Sequence, residues 1–210
     1  MGWYDLFSRF YDASVERLYV ESRQRAVEAL APQPGEWILD LPCGTGLSLD
    51  GLAPAVGDEG RVVGVDYSAG MLARARRRVA RAGWQNVTLL QGDVLKFDAD
   101  ALVSAGGRCE VDCLHVFLGL SAFPAWRRAA ERLWSLLRPG GRLVAVDVHA
   151  ARPGFQGRMV NLTARADISR RFWEPFEALA EDFAIEALPS LRSHGGELRL
   201  LRGRKPSDDA

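Results

Sequence analysis

The sequence predicts an α/β fold: a largely parallel sheet with helices on both faces, finished by an antiparallel hairpin. Three observations carry that expectation. Short apolar runs alternate with segments of helical period at the spacing that right-handed βαβ crossovers require. Three successive runs end at an acid, namely Asp40, Asp66 and Asp93. The first of them, Trp37-Ile38-Leu39-Asp40, runs directly into a loop containing Gly44 and Gly46. In open α/β sheets ligands bind at the carboxyl ends of the strands, and carboxylates placed there are costly to bury without a polar partner.

In chain order, residues 2 to 30 read as helical. Trp3, Phe7 and Phe10 share one helical spacing and Tyr4, Tyr11, Val15 and Leu18 another. Such a segment, residues 1–34, is a cap ahead of the main domain: packing on the sheet, closing as a lid, or lying at a membrane interface. Pro32, Pro34 and Gly35 then separate it from the first strand.

The main domain is expected over 35–204. After the glycine loop a helix runs from Leu47 to Val56, and Arg61 to Asp66 form the second strand. Ser68 caps a helix from about Ala69 to Ala82, in which Met71, Leu72 and Val79 face the sheet. Its arginines 74, 76, 77, 78 and 81 form a solvated basic face or an anionic docking patch. Asn86 to Gln91 is the third strand, closed by Gly92-Asp93-Val94, and a short helix follows near Asp98 to Ser104. Glu110 to Phe117 is the fourth strand, and Pro124 starts a helix to Leu137. Arg138-Pro139-Gly140-Gly141 is a stop and turn, with a fifth strand from Arg142 to Val148. Beyond an arginine-rich stretch from Arg152 to Arg171, an aromatic helix is expected around Phe172 to Glu181. Two strand-like runs, Phe183 to Leu188 and Glu197 to Leu201, flank a turn-rich connection short enough to require antiparallel pairing. Residues 205–210 read as a loose polar tail.

Composition narrows the function. With 210 residues the chain suffices for one full core, and 27 basic against 27 acidic residues give no overall pull toward nucleic acid or anionic surfaces. The three cysteines, Cys43, Cys109 and Cys113, have no CxxC spacing, which argues for reduced thiols and against a structural zinc. No secretion signal or long apolar span is recognisable, so a cytoplasmic protein is expected. A ligand served by three carboxylates, and by a glycine loop without Lys-Ser or Lys-Thr, is unlike a nucleoside triphosphate. A nucleoside with free hydroxyls and a cationic end fits better. A dinucleotide fits less well, because Leu49 stands where G-x-G-x-x-G would have its last glycine.

Four stretches taken together, Leu39 to Gly46, Val65 to Leu72, Gly92-Asp93-Val94 and Leu137 to Arg142, resemble the class I S-adenosylmethionine-dependent methyltransferases. The resemblance implies a Rossmann-like sheet of seven strands, one of them antiparallel. It implies S-adenosylmethionine as cofactor, S-adenosylhomocysteine as product, and no metal. It further implies that Asp40, Pro42, Gly44 and Gly46 approach the methionyl part and that Asp66 binds the ribose hydroxyls. Tyr67 and Met71 then flank the adenine, Asp93 and Val94 contact its edge, and Phe117 lies on the cofactor side. Tyr11 would close over the cofactor from the cap. Pro42 departs from the family, which usually has glycine there, and brings a fixed φ and no donor.

The Tyr-Asp dipeptides, Asp66-Tyr67-Ser68 and Val111 to Leu120 are similar to the quinone-biosynthesis and bacterial phosphatidylethanolamine N-methyltransferases. That similarity implies a small or lipid-like acceptor and is compatible with peripheral membrane contact. No Asn-Pro-Pro-Tyr or Asp-Pro-Pro-Tyr tetrad, and no Pro-Cys after the fourth strand, points to nucleic acid as substrate. His115 and His149, at the ends of the fourth and fifth strands, are the catalytic candidates should the acceptor have to lose a proton. A cofactor-binding regulatory protein without turnover and a nicotinamide-dependent dehydrogenase are the alternatives.

Overall fold

A computed structural model of the chain describes residues 19–189 and 195–207. The expectations for Trp3, Tyr4, Phe7, Phe10, Tyr11, Val15 and Leu18 lie outside the described residues.

The described chain runs α1 (Val20–Leu30), β1 (Trp37–Asp40), α2 (Leu49–Val56), β2 (Arg61–Asp66), α3 (Ala69–Ala82), β3 (Val87–Gln91) and α4 (Ala99–Gly106). It continues with β4 (Val111–Phe117), α5 (Trp126–Leu136), β5 (Leu137–His149), α6 (Phe155–Ala164), α7 (Glu174–Glu177), β6 (Glu181–Ala187) and β7 (Glu197–Arg204). The seven strands form one sheet in the order β3-β2-β1-β4-β5-β7-β6. The first five are mutually parallel, and β7 runs antiparallel to both β5 and β6. Strand order reverses between β1 and β4. This is the switch point at which open α/β sheets bind ligands.

Apolar runs without alternation build the central strands, as they must when both faces are covered. Leu39, Val63, Leu114 and Leu143 face a layer that includes Leu102 of α4, Leu133 of α5 and Phe176 of α7. Ile38, Val62, Cys113 and Val144 face the layer of α1 and α2. The α1 helix is tied to the sheet at its C-terminal end, where the Arg142 side chain donates to the Leu30 carbonyl at 3.0 Å. Ser68 caps α3 as its sequence indicates, accepting from Met71 N at 3.2 Å.

Four boundaries differ from expectation. The stop at 138–141 is not the end of an element but an irregularity within β5: Val111 pairs with Leu137 while Cys113 pairs with Arg142, so the extra residues bulge out around Gly140 at φ +69°. The helix around Phe172 is only the four-residue α7, because Phe172 and Trp173 are spent on core packing ahead of it. The arginine-rich stretch contains a helix, α6, which its polar composition conceals. The tail is anchored at its start: Lys205 N donates to Gly141 O at 2.9 Å, and its ammonium donates to the carbonyls of Trp134 and Leu137.

Candidate active site

The glycine loop is hung between two strands by its backbone. Leu41 N donates to His115 O at 3.1 Å and Cys43 N to Val65 O at 2.9 Å. Gly44, at φ +55°, turns its N–H to Asp66 Oδ2 at 2.8 Å. Gly46, at φ +81°, lies so close to α2 and α3 that an added Cβ would meet Leu49 of α2 at 2.9 Å and Ala75 of α3 at 3.2 Å. Glycine is thus required twice here, once for conformation and once also for helix approach. The Leu41-Pro42 peptide is cis, and the Pro42 ring packs on Gly119 just beyond β4, where any Cβ would collide with it. The proline that departs from the family pattern is therefore matched by a glycine opposite.

Asp40 and His115 are Cα partners on the two strands flanking the switch point. Asp40 is 1% exposed and His115 fully buried, and Asp40 Oδ1 lies 2.8 Å from His115 Nδ1. Among the described residues, three buried side-chain atoms lack a hydrogen-bond partner: Asp40 Oδ2, Thr45 Oγ1 and His115 Nε2. All three belong to the loop or to the pair at its root. Leaving such groups unmet costs about 1–3 kcal/mol each, so their grouping makes the root of the loop the candidate place for a polar ligand. Phe117 lies parallel to the His115 ring at 6.2 Å, and Tyr19 meets Phe117 edge-on at 6.0 Å. Arg23 stacks over Phe117 at 4.7 Å. The chain thus enters α1 beside this pair.

Asp66 does more than its sequence position announces. Its Oδ1 accepts from Ser68 N at 2.8 Å while Oδ2 holds Gly44 N, so it fixes the loop to the start of α3. Burial raises its carboxyl above the ordinary range, against the opposing pull of these backbone N–H groups. Each oxygen keeps a second lone pair for a ligand hydroxyl. Tyr67 beside it is exposed and Met71 buried. Asp93 is half-buried and accepts from Leu95 N at 3.0 Å, and Val94 is buried behind it. Gln91 ties the two edges together through the Tyr67 carbonyl at 3.1 Å.

His149 has a different setting. Its Nδ1 is 3.1 Å from the Arg170 carbonyl and its ring packs on Trp173 at 4.8 Å. An open concavity of about 430 Å³ adjoins it, lined by Ala150, Gly196, Glu197 and Arg199 among others. None of its described lining residues belongs to the glycine loop.

A further buried acid is absent from the residues that sequence pattern singles out. Asp147 of β5, 1% exposed, accepts from Ser121 N and Val148 N at 2.8 Å each and from the Ser121 hydroxyl at 2.7 Å. Arg170 then clamps the same segment, donating to the carbonyls of Ser121 at 3.0 Å and Phe123 at 2.7 Å. Just ahead of these grips Leu118, whose N–H donates to the Val146 carbonyl at 2.8 Å, adopts φ +57°, an uncommon conformation for leucine that persists where neighbours over-determine it. A signal existed: one acid within the apolar run Val144-Ala145-Val146-Asp147-Val148. Burial pushes the Asp147 carboxyl up to about 6.

Burial also holds both inner thiols protonated, Cys43 well above its ordinary value and Cys113 at about 12. Neither is a nucleophile near neutrality. Among the described residues no group of three or more His, Cys, Asp or Glu side chains is placed to hold a metal. No described helix is long and apolar enough to cross a membrane.

Residues 38–141 match a family model described as a methyltransferase domain. A demethylmenaquinone methyltransferase of Desulfitobacterium hafniense is 28% identical over 88% of this chain and 79% of its own length. One of the same name from Shouchella clausii is 30% identical over 60% of this chain and 50% of its own, so the chain spans only about half the length of some relatives. The crystal structure of geranyl diphosphate C-methyltransferase from Streptomyces coelicolor, determined with Mg2+, geranyl diphosphate and S-adenosyl-L-homocysteine, superposes with a TM-score of 0.72 at 16% identity. The superposition covers 95% of this chain and 84% of that one and shows the shared fold. Sheet order, glycine loop, family model and relatives agree, and the chain belongs to the class I S-adenosylmethionine-dependent methyltransferases.

Proposed function

We propose that the acceptor is a lipid-like ring compound of the quinone class in its reduced form, and that the cofactor lies along the loop with its methionyl end at Asp40. The unmet atoms at the root of the loop carry the cofactor placement: Asp40 Oδ2 is a buried carboxylate oxygen with no partner, suited to an ammonium. Asp66 then takes the ribose hydroxyls on its remaining lone pairs, with Tyr67, Met71, Asp93 and Val94 around the adenine. Pro42, Gly44 and Gly46 shape the backbone at the methionyl part, and Phe117 borders it. The acceptor class is supported by relatives named for demethylmenaquinone and by the rings of Tyr19 and Phe117 beside the site.

The sulfonium of the cofactor supplies an electrophilic methyl group, and transfer is a direct displacement for which alignment contributes most of the acceleration. Loss of a hydroxyl proton makes a ring carbon of the reduced quinone nucleophilic; that carbon takes the methyl group as the S–CH3 bond breaks, then sheds its own proton to restore the aromatic ring while the oxygen is reprotonated. Of the two histidines, His115 is the one suited to take the hydroxyl proton. Asp40 holds the proton on its Nδ1, which leaves the lone pair of Nε2 free to accept. His149, engaged with Arg170 and Trp173, is assigned to packing.

Calorimetry with S-adenosylhomocysteine tests the cofactor placement: Asp66→Ala is expected to weaken binding at least tenfold, and unchanged affinity refutes it. Transfer of labelled methyl to a reduced demethylated naphthoquinone, with none to phosphatidylethanolamine, is the expected acceptor result. The converse result overturns the acceptor. His115→Gln should lower kcat by roughly 10²-fold or more while cofactor affinity holds. A full retention of kcat removes His115 as the base.

A further inference from the structure

Three of the seven large hydrophobic side chains exposed among the described residues lie on one short helix. On α6, Phe155 is 73% exposed, Met159 44% and Leu162 71%. Their spacing of four and three places them on one face, one turn above another. The opposite side is the buried one. Gly157 abuts Gly195, where a Cβ would meet the Gly195 carbonyl at 2.8 Å. Val160 packs on the core, and Asn161 Oδ1 accepts from Ile168 N at 3.0 Å. The helix is therefore fixed in rotation, and its apolar face points outward because its back is occupied.

Charge identifies what this face fits. From Ala151 to Arg165 the chain has three arginines, 152, 158 and 165, and no acid, in a protein whose formal net charge is zero. All three are exposed. Among the described residues neither Arg152 nor Arg158 has an acid within ion-pair distance. Among those residues some surface arginines elsewhere are matched, as Arg78 is by Asp50 and Arg127 by Glu174, and others on α3 are not; what sets Arg152 and Arg158 apart is the row of exposed apolar side chains beside them. A row of large apolar side chains flanked by unmatched bases is the pattern of a helix lying in a lipid interface, rings and aliphatic chains among the acyl tails and guanidinium groups at the phosphates. A protein partner would match the bases with acids at fixed positions. The pattern asks only for diffuse negative charge over an apolar layer.

We infer that the outer face of α6 is the surface by which this protein docks on an anionic lipid bilayer. The excursion containing α6 leaves the sheet at His149 and returns at Ile168, whose carbonyl accepts from Ala150 N at 2.8 Å. Because β1, β4 and β5 are parallel, this is the carboxyl end of the strands that also bears Asp40, and docking turns it toward the bilayer. Delivery of a lipid acceptor from that bilayer rests on the reading above; the docking surface does not.

The test is cosedimentation of the full chain with vesicles of phosphatidylcholine alone and of phosphatidylcholine with one third phosphatidylglycerol. Binding is expected only to the anionic vesicles and should weaken with added salt. Phe155→Ser with Leu162→Ser should reduce it at least tenfold. Arg152→Glu with Arg158→Glu should reduce it by roughly fivefold or more per position. S-adenosylhomocysteine affinity should stay unchanged in both. Should the serine pair fail to fold, the exposed arginine pair carries the test alone. Binding that survives both pairs puts the surface elsewhere and overturns the inference, as does equal binding to neutral vesicles or none. A vesicle-free dimer that the serine pair dissociates makes a second copy the occupant and overturns it too. Vesicle binding as expected with no quinone methylation refutes the acceptor proposal alone.

Discussion

Asp40 and Asp147 are both 1% exposed, both on central parallel strands, and both within an otherwise apolar run, yet they are finished differently. Asp147 accepts three hydrogen bonds from Ser121 and Val148, and Arg170 secures the segment those bonds hold. Asp40 accepts from His115 and leaves its second oxygen unmet, with Thr45 and His115 each contributing another unmet atom. A buried acid with every donor supplied is a structural brace. One whose donors stop short keeps hydrogen-bonding capacity to spare, and on that difference the proposed cofactor placement rests. The two are coupled in space, because the Asp147 network holds 118–123, whose Gly119 receives the Pro42 ring of the loop that Asp40 opens.

Four perturbations probe the difference between brace and site, in descending order of effect. Asp147→Ala leaves two backbone N–H groups and a hydroxyl without their acceptor and should lower unfolding free energy by about 3–5 kcal/mol in urea titration. A loss under about 1 kcal/mol removes its role as a brace.

Next in size is a pH effect. The folded carboxyl of Asp147 lies at about 6 against an ordinary 3.8, so the folded state binds its proton more tightly than the unfolded chain does. The stability this group contributes is fully present below about pH 4 and lost as pH rises through about 6, on the order of 3 kcal/mol in all. Burial shifts Asp66 the same way and adds to the trend. Asp147→Asn cannot ionise, so the stability gap between parent and variant should move in the variant's favour from about pH 4 to about pH 7.5. A constant gap contradicts the assignment.

Gly119→Ala drives a methyl into the Pro42 ring and should cost about 1–3 kcal/mol, with weaker cofactor binding because the glycine loop shifts. If stability falls while cofactor affinity is untouched, the two regions are not coupled through this contact. The smallest effect is expected at Arg78, which pairs with Asp50 at 2.6 Å on the surface of α3 and α2. Arg78→Ala should change stability by less than about 1 kcal/mol and leave cofactor affinity alone.

Much of this was legible in the sequence, and the reason is local. Trp37 to Asp40, Arg61 to Asp66 and Val111 to Phe117 are apolar runs of strand length ended by acids or glycines, so each segment specifies its own conformation and its place in a parallel sheet. Ser68 announces α3 by its own side chain. What stayed hidden depends on partners far along the chain. The bulge at 138–141 is set by pairing with β4, and the anchoring of Lys205 by the carbonyls of Trp134 and Leu137. Likewise Asp66 reads as a ligand residue, but its hold on Gly44 spans 22 positions. The pairing of His115 with Asp40 spans 75, and neither residue type nor spacing discloses it. Asp147 was visible as an acid among valines, but only Ser121 and Arg170 reveal it as a brace.

The central claim is that the unmet oxygen of Asp40, and not the satisfied carboxylate of Asp147, receives the cofactor. S-adenosylhomocysteine titrated calorimetrically into the folded Asp40→Asn and Asp147→Asn variants measures that difference directly. Asp40→Asn is expected to lose affinity about 10- to 100-fold, through loss of a charge-assisted hydrogen bond worth about 1.5–3 kcal/mol, and Asp147→Asn to stay within about threefold of the parent. Equal losses in the two variants, or a larger loss at Asp147, would contradict the claim.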